Sequence, residues 1–330
     1  MKVKYRIVLV FSLIILSILS YKLSHEKINS DVSLPKPKLS YNLHRDIIYK
    51  NTPENLPLKL DIYQPKNTNG KKLPVAIYIH GGAWSFGSKE MITYKFRAYI
   101  LSQLLQNQYT VISADFTNID SDKHVDRSLQ DIQDIIKWIR DNDTIYNLDK
   151  ENIGILGGSS GAHLAMMTAY RQNNDRPQHL PVLNYVVNLY GPTDLNELFR
   201  TDAHPAIQKW FKFYYPKTYK TRHKKIKQLT GFDIDNQKNK AIQRCRELSP
   251  VNYITKNTVP TLIFHGNEDA VVDIRQAELL VEKLKEKKIN HQYFVVDNAN
   301  HTFNNISLED ANDIAEKTVN FIKRYTKKQD

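Results

Sequence analysis

The sequence has 330 residues and only one cysteine, Cys245. A single cysteine excludes an intrachain disulfide framework and leaves too few thiolates for a cysteine-based zinc or iron–sulfur site. The metal-binding spacings H-x-x-x-H and H-E-x-x-H are also missing, so we predict no metal site. Internal repeats and low-complexity tracts are absent. With 41% hydrophobic and 25% charged residues, the composition is typical of a globular protein of one domain, with or without an insertion.

The N-terminus lacks a full-length membrane span. The apolar run IVLVFSLIILSILS at 7–20 has 14 residues, whereas a span needs roughly 20. It follows the basic segment MKVKYR, so residues 1–22 are predicted to be a signal peptide or an N-terminal membrane anchor. A small-x-small cleavage signature and a lipidation cysteine are both missing after Ser20, which leaves the two alternatives open. Both predict export, whether periplasmic, secreted or membrane-anchored.

Acidic residues are fewer than basic ones, with 35 Asp and Glu against 47 Lys and Arg and a net charge of +12. The excess is local. Residues 1–30 carry +4, and residues 196–248 carry +8 from 13 Lys and Arg against 5 Asp and Glu. The rest of the chain is near neutral, so the charge does not indicate a nucleic-acid partner.

Residues 23–44 are polar and contain two prolines, which predicts a spacer before a body at 45–330. In the body, β-rich runs alternate with helix-period segments. The predicted strands are 58–63, 74–80, 110–116, 152–157, 185–191, 260–266 and 292–296, and the predicted helices are 127–142, 277–288 and 309–325. This alternation predicts a mostly parallel sheet with helices on both faces. Residues 196–248 show no clear strand and are predicted to be an inserted helical cap.

The stretch LGGSSGAHLA at 156–165 places two serines among three glycines. From 157 to 161 it reads G-x-S-x-G, after a predicted strand and before an apolar helix, as a nucleophile elbow requires. Ser159 fits this frame, whereas Ser160 would need a glycine at position 162, which is alanine. From the pentapeptide alone, an ordinary glycine turn remains an equal alternative.

Three further segments place polar or glycine residues at predicted strand ends. IYIHGGAW at 77–84 contains Gly81 and Gly82, whose N–H groups could face an oxyanion. Asp269 follows the strand at 260–266, and His301 follows the next one. Parallel sheets gather ligand sites at the C-terminal ends of their strands, and the chain order serine, aspartate, histidine is that of α/β-hydrolases.

Several segments together resemble the carboxylesterase and lipase branch of the α/β-hydrolases, over roughly residues 45–325. They are LDIYQP (60–65), YIHGGAW (78–84), GGSSGAHLA (157–165), YGPTDL (190–195), SPVNYI (249–254), HGNEDAVV (265–272) and NANHTF (298–303). The resemblance implies an α/β-hydrolase fold, Ser159 as nucleophile, Asp269 as acid and His301 as base. It also implies backbone oxyanion donors at Gly81, Gly82 and Ser160, and no cofactor. One departure is Ala83, where the usual HGGG motif has its third glycine.

Other titratable residues near these motifs have alternative roles. Asp194 follows the strand at 185–191 and is a second candidate for the acid. Glu268 and Asp273 are interpreted as solvated loop carboxylates. His80, His163 and His265 are interpreted as structural histidines that hold loops or helices by hydrogen bonds.

We therefore predict hydrolysis of small-molecule carboxylic esters, with short-chain acyl or acetyl esters as the expected substrates. A serine peptidase on the same fold and a hydrolase-like binding protein without activity are the alternatives. The basic cap interleaves WFKFYY at 210–215 with lysines. It is interpreted either as a solvated surface or as a surface that contacts an anionic membrane or admits an acidic or amphiphilic substrate.

Overall fold

The computed structural model describes residues 32–68, 70–175 and 181–327. In these residues eight strands form one sheet with the order β1-β2-β4-β3-β5-β6-β7-β8. The strands are β1 (Tyr41–Asn51), β2 (Pro57–Pro65), β3 (Leu73–Ile79), β4 (Thr110–Ala114), β5 (Leu148–Gly158), β6 (Leu183–Leu189), β7 (Thr261–Gly266) and β8 (His291–Val296). Strands β3 to β8 pair in parallel, and β1 and β2 are antiparallel to their neighbours. The predicted mostly parallel sheet is confirmed.

Helices cover both faces of this sheet. They are α1 (Arg97–Gln106), α2 (Val125–Asp141), α3 (Ser160–Asp175), α4 (Leu195–Phe199), α5 (Pro205–Tyr214), α6 (Pro216–Thr230), α7 (Lys238–Glu247), α8 (Arg275–Glu286) and α9 (Leu308–Lys323). The two-residue period of the strands divides the core: Val75 and Ile77 of β3 pack with α2, α3 and α8, whereas Ala76 and Tyr78 pack with α1 and α9. Continuous apolar strands therefore supply two cores at once.

Strand β1 begins at Tyr41, so the last four residues of the predicted spacer, 41–44, belong to the sheet. Residues 41–44 pair with β2, and a break in register at Asp46 accompanies a left-handed φ of 56°. Before the strand, the Val32 N–H donates to the Asn304 carbonyl at 2.9 Å, and Leu34 packs on the core. The sequence does not predict the pairing of β1 with β2, because β1 is an edge strand with no fully buried residue and therefore no apolar run.

Four short helices, α4 to α7, occupy the segment predicted to be the cap. Pro205 and Pro216 stand in the first turns of α5 and α6, where a missing N–H costs nothing, and Gly231 ends α6 at a left-handed φ of 79°. Ile226, Ile234 and Ala241 form a small buried cluster of their own. The cap helices therefore pack partly on each other, beside the main core.

The predicted signal peptide or anchor at 1–22 lies outside the described residues. Within the described ranges, no helix is both long and apolar enough to cross a membrane.

Candidate active site

Ser159, Asp269 and His301 meet at the C-terminal edge of the sheet. Ser159 follows β5, Asp269 follows β7, and His301 follows β8. The Ser159 Oγ lies 2.9 Å from His301 Nε2, and His301 Nδ1 lies 2.7 Å from Asp269 Oδ2. Ser159, which precedes the other two residues by more than 100 positions, thus joins them in one hydrogen-bonded row. With Asp269 ionised, Nδ1–H donates to the carboxylate, and Nε2 accepts from the serine hydroxyl.

The elbow geometry explains why glycines flank Ser159. Ser159 itself has a left-handed φ of 54°, an unusual conformation for a residue with a side chain. A Cβ at Gly157 would lie 2.5 Å from the Gly161 carbonyl carbon, and one at Gly161 would lie 2.2 Å from the Ile79 oxygen. Only hydrogen fits at either position. The tight turn leaves the half-buried Ser159 at the start of α3 with its hydroxyl facing His301.

Asp269 is buried, and every contact that the structure gives it favours the ionised form. Oδ1 accepts hydrogen bonds from the N–H groups of Val271 and Val272 at 2.9 and 2.8 Å. Burial alone would raise the pKa of Asp269, but contacts with His265 and His301 outweigh it and lower the pKa to about 2. The carboxylate is therefore charged across the neutral range and can hold the His301 ring in one tautomer.

The glycine segment after β3 lies directly against the elbow. A Cβ at Gly81 would come within 2.9 Å of the Gly158 oxygen and 3.4 Å of the Ser159 Cβ. Gly82 has a φ of 129°, and a Cβ there would lie 1.8 Å from the Phe86 oxygen. In the described part of the chain, the N–H groups of Gly82 and Ser160 donate to no other residue. These two unpaired N–H groups are therefore the candidates for an oxyanion site near Ser159.

Three contacts hold this segment, and sequence reasoning missed all of them. Ala83 and Trp84 both have left-handed φ angles, 48° and 62°. The Trp84 indole donates to His163 Nδ1 at 3.1 Å, and the Lys225 ammonium donates to the Ala83 carbonyl at 2.9 Å and to Ser85 Oγ at 2.7 Å. Lys225 belongs to α6, so the cap contacts residues 81–85 after β3, which we call the oxyanion segment. Burial, together with the charge of Lys224, lowers the pKa of Lys225 to about 8.

Tyr190 also lies in the site, although no sequence motif predicts it there. Its ring packs edge-on against the His301 ring with centroids 5.2 Å apart, and against Phe303 at 4.7 Å. Tyr190 is itself buried and has a left-handed φ of 47°. The contact supports one face of the His301 ring. The only signal in the sequence is its position at the end of a strand.

The remaining polar candidates have structural contacts. Asp194 is the N-cap of α4 and accepts from the N–H groups of Asn196 and Glu197. His80 Nδ1 contacts the Gly81 oxygen at 2.8 Å, and His265 Nε2 contacts the Val272 oxygen at 2.7 Å. The interpretation of both histidines as holders of loops is confirmed. Among the described residues, no group of three His, Cys, Asp or Glu side chains could hold a metal ion.

His163 is fully buried one turn into α3, and both of its ring nitrogens are bonded. Nδ1 accepts from Trp84, and Nε2 contacts the Leu248 oxygen at 2.7 Å. Its interpretation as a structural histidine is confirmed. Burial lowers the pKa of His163 from 6.5 to about 4. The folded protein therefore keeps this ring neutral at a pH where the unfolded chain protonates it.

This difference predicts acid sensitivity. Because the folded pKa is the lower one, the free energy of unfolding falls as the pH drops through 6.5 and stops falling below about 4. Each histidine of this kind contributes a slope of about 1.4 kcal/mol per pH unit. The variant His163→Gln should have a lower free energy of unfolding at neutral pH. Between pH 6.5 and about 4, that free energy, measured by urea unfolding, should fall less steeply than in the wild type, by about 1.4 kcal/mol per pH unit. The exposed His204→Gln is the matched control, and an unchanged slope in His163→Gln would contradict the assignment.

The BD-FAE family matches residues 60–284, more than half of the chain. The chain belongs to the BD-FAE family. The dienelactone hydrolase family matches residues 245–326. Among curated proteins, Esterase LipC of Mycobacterium tuberculosis is 26% identical over 74% of this chain and 56% of its own length. Esterase LipQ of the same organism is 25% identical over 82% of this chain and 59% of its own. The chain spans less than two thirds of either relative.

Solved esterase structures share the fold. Esterase B from Lactobacillus rhamnosis superposes with a TM-score of 0.67 at 15% identity, over 96% of this chain and 94% of its own. A carbohydrate esterase from gut microbiota gives a TM-score of 0.65 at 19% identity, over 86% and 96%. The predicted α/β-hydrolase fold and the resemblance to the carboxylesterase branch are confirmed.

Proposed function

We propose that this BD-FAE member hydrolyses carboxylic esters through an acyl-enzyme on Ser159. The observation that carries the proposal is the row Ser159–His301–Asp269, with distances of 2.9 and 2.7 Å, beside two unpaired N–H groups. A serine hydroxyl is a weak nucleophile at neutral pH and needs an adjacent base and an anion site to attack an acyl carbonyl. We assign the role of the base to His301 and that of the anion site to the N–H groups of Gly82 and Ser160.

Each group has one role in the proposed reaction. As the Ser159 Oγ attacks the acyl carbon, its proton passes to His301 Nε2, and the ionised Asp269 stabilises the resulting imidazolium. The negative oxygen of the tetrahedral intermediate accepts hydrogen bonds from the Gly82 and Ser160 N–H groups, while Gly81 shapes the segment. His301 then returns the proton to the leaving alkoxide, and the alcohol departs. A water molecule, deprotonated by His301, then attacks the acyl-enzyme in the same way, releases the carboxylic acid and regenerates the free serine.

Small-molecule esters with short acyl groups are the proposed substrates. Structural neighbours include an esterase from Thermogutta terrifontis described with propionate and with butyrate bound. The direct test is release of p-nitrophenol from p-nitrophenyl esters of increasing chain length, followed by acetate release from acetylated sugars. Faster turnover of acetate and butyrate esters than of laurate supports the proposal. Cleavage of a peptidyl p-nitroanilide in preference to every ester would favour the peptidase alternative instead.

Export is proposed from residues 1–22 alone, which carry a basic segment and a 14-residue apolar run. Full-length protein should fractionate outside the cytoplasm, either free or with membranes. Deletion of residues 1–22 should keep the protein inside the cytoplasm, because the export signal is gone. Full-length protein found free in the cytoplasm would contradict the proposal.

We also propose that the cap contacts anionic membranes. Helix α5 has no buried residue, and Phe213 and Tyr214 are 78% and 61% exposed. Exposed lysines continue along α6 at positions 217, 220, 224 and 227. Arg222 and Lys225 do not belong to this surface, since they bond to the Phe199 and Ala83 carbonyls. Aromatic side chains beside lysines match the chemistry of an anionic lipid surface.

Protein without residues 1–30 should therefore bind vesicles containing phosphatidylserine at low salt and release them at high salt. Each lysine near such a surface contributes about 1 kcal/mol, so Lys220→Gln, Lys224→Gln and Lys227→Gln together should weaken binding by roughly 100-fold. The matched control is the triple change of Lys283, Lys285 and Lys287 to glutamine at the C-terminal end of α8. Equal binding by both triple variants would leave a solvated surface as the better description of the cap.

A further inference from the structure

The cap contains a cavity, open to solvent on one side, that the proposed reaction does not use. It has a volume of about 370 Å³ and lies among α4, α5 and α6. Most of its wall is apolar and comes from Leu198, Phe199, Ala203, Ile207, Trp210 and Phe211. Among the described residues that line it, none belongs to the Ser159 row or to the oxyanion segment. The cavity is thus a separate feature of the cap.

We propose that this cavity binds the aliphatic chain of an anionic amphiphile of the fatty-acid class. An apolar cavity of about 150 Å³ already stays dry and accepts benzene. If each methylene group takes about 30 Å³, the volume of a water molecule in the liquid, then 370 Å³ holds a chain of about ten to twelve carbon atoms. A medium-length alkyl chain fills that space, whereas a single ring does not.

Charge at the wall selects the head group. Arg200 and Arg222 are the two charged residues among those that line the cavity. The Arg222 guanidinium is fixed by donation from Nε to the Phe199 carbonyl and from Nη2 to the Arg200 carbonyl. The Arg200 side chain is 68% exposed, and its Nη1 lies 3.5 Å from Glu197 Oε1 in an ion pair that is open to solvent. With +8 over residues 196–248, the surroundings favour a carboxylate at the mouth and disfavour a cationic head group.

Helix α5 forms one wall and gives access from solvent. Ile207 and Trp210 line the cavity and are also 48% and 38% exposed, so the cavity reaches the surface along this helix. On the other side, α6 supplies Tyr219 and Arg222 to the wall, and Lys225, one turn further, to the oxyanion segment. A ligand in the cavity would therefore contact the same helix that holds the Ala83 carbonyl.

The experiment measures binding by tryptophan fluorescence. Full-length Ser159→Ala protein is titrated with dodecanoic acid that carries bromine near the end of its chain, at concentrations where the acid is monomeric. Bromine quenches tryptophan on contact, and only Trp210 lines the cavity, whereas Trp84 packs on His163 and Trp138 on Tyr146. We expect saturable quenching with one ligand per chain, and its loss in the additional variant Trp210→Phe. Because the nucleophile is absent, the result does not depend on ester hydrolysis.

Two matched variants locate the site. Ala203→Phe takes volume from the cavity and should weaken binding at least about tenfold, since each methylene excluded costs about fourfold in affinity. Ala206→Phe adds the same side chain at an exposed position of α5 outside the lining, and should leave the affinity unchanged. Near-ultraviolet circular dichroism checks that both variants keep the wild-type fold.

The head group is tested with the brominated alcohol of the same chain length, which should bind about two- to fivefold more weakly than the acid. Equal affinity for acid and alcohol would overturn the role of the two arginines. Quenching that does not saturate, that persists in Trp210→Phe, or that is equally affected by Ala203→Phe and Ala206→Phe would overturn the site itself.

Discussion

Ser159→Ala is expected to lower kcat for p-nitrophenyl acetate by about 10⁴- to 10⁶-fold, because no acyl-enzyme can form without its hydroxyl. Ser160→Ala is expected to keep activity within about tenfold of wild type. In the described residues the Ser160 hydroxyl is buried without a hydrogen-bond partner, so its removal breaks no contact. The Ser160 N–H, which is the proposed oxyanion donor, remains in place after this substitution.

The two adjacent serines thus form a matched pair in one turn. Both variants change one hydroxyl to hydrogen, and both positions lie at the start of α3. If Ser160→Ala inactivates the protein and Ser159→Ala does not, while both remain folded, the frame of the elbow is wrong by one residue.

The second large effect is expected for Asp269→Asn, with a loss of about 10⁴-fold in kcat. The amide keeps the shape of the carboxylate but can present N–H to His301 Nδ1, which moves the ring proton to Nε2 and removes the base that faces Ser159. His301→Ala should be impaired at least as strongly because it removes the base altogether. Steady-state hydrolysis of p-nitrophenyl acetate gives all of these values.

Asp194→Asn is the matched control for the acid. Asp194 follows β6 much as Asp269 follows β7, but its carboxylate accepts from the first N–H groups of α4. Asparagine is as good an N-cap as aspartate, so the helix and the activity should both be retained. Active Asp269→Asn protein together with inactive Asp194→Asn protein would transfer the role of the acid to Asp194.

The parts of the fold that sequence could predict are those encoded locally. Strand β3, the C-terminal half of β5 and strand β7 are short apolar runs followed by glycine or polar residues, and the loops after them carry most of the candidate site. Gly157 and Gly161 are required by a turn of a few residues, so a pentapeptide is enough to signal it. Chain order then predicts which loops meet, because parallel strands place their C-terminal ends at one edge.

Contacts between distant segments left no such signal. Strand β1 alternates between exposed and half-buried residues, and its pairing with β2 is visible only in the folded chain. In the sequence, Lys225 is one of several cations in a basic run. In the structure its ammonium group donates a hydrogen bond to the carbonyl of Ala83, 142 positions away. Ala83 adopts a left-handed φ where the related motif has glycine, and this contact, together with that of Trp84 with His163, accompanies the strained turn. Tertiary packing selects such residues, and no short pattern encodes them.

Covalent labelling tests the proposed nucleophile most directly. A fluorophosphonate reacts with a serine that an adjacent base activates and leaves a stable adduct whose position peptide mass spectrometry can determine. We expect one adduct per chain, on Ser159, and little labelling in His301→Ala because the base that activates the hydroxyl is gone. An adduct on Ser160, or labelling of other serines with Ser159 unmodified in folded wild-type protein, would contradict the account.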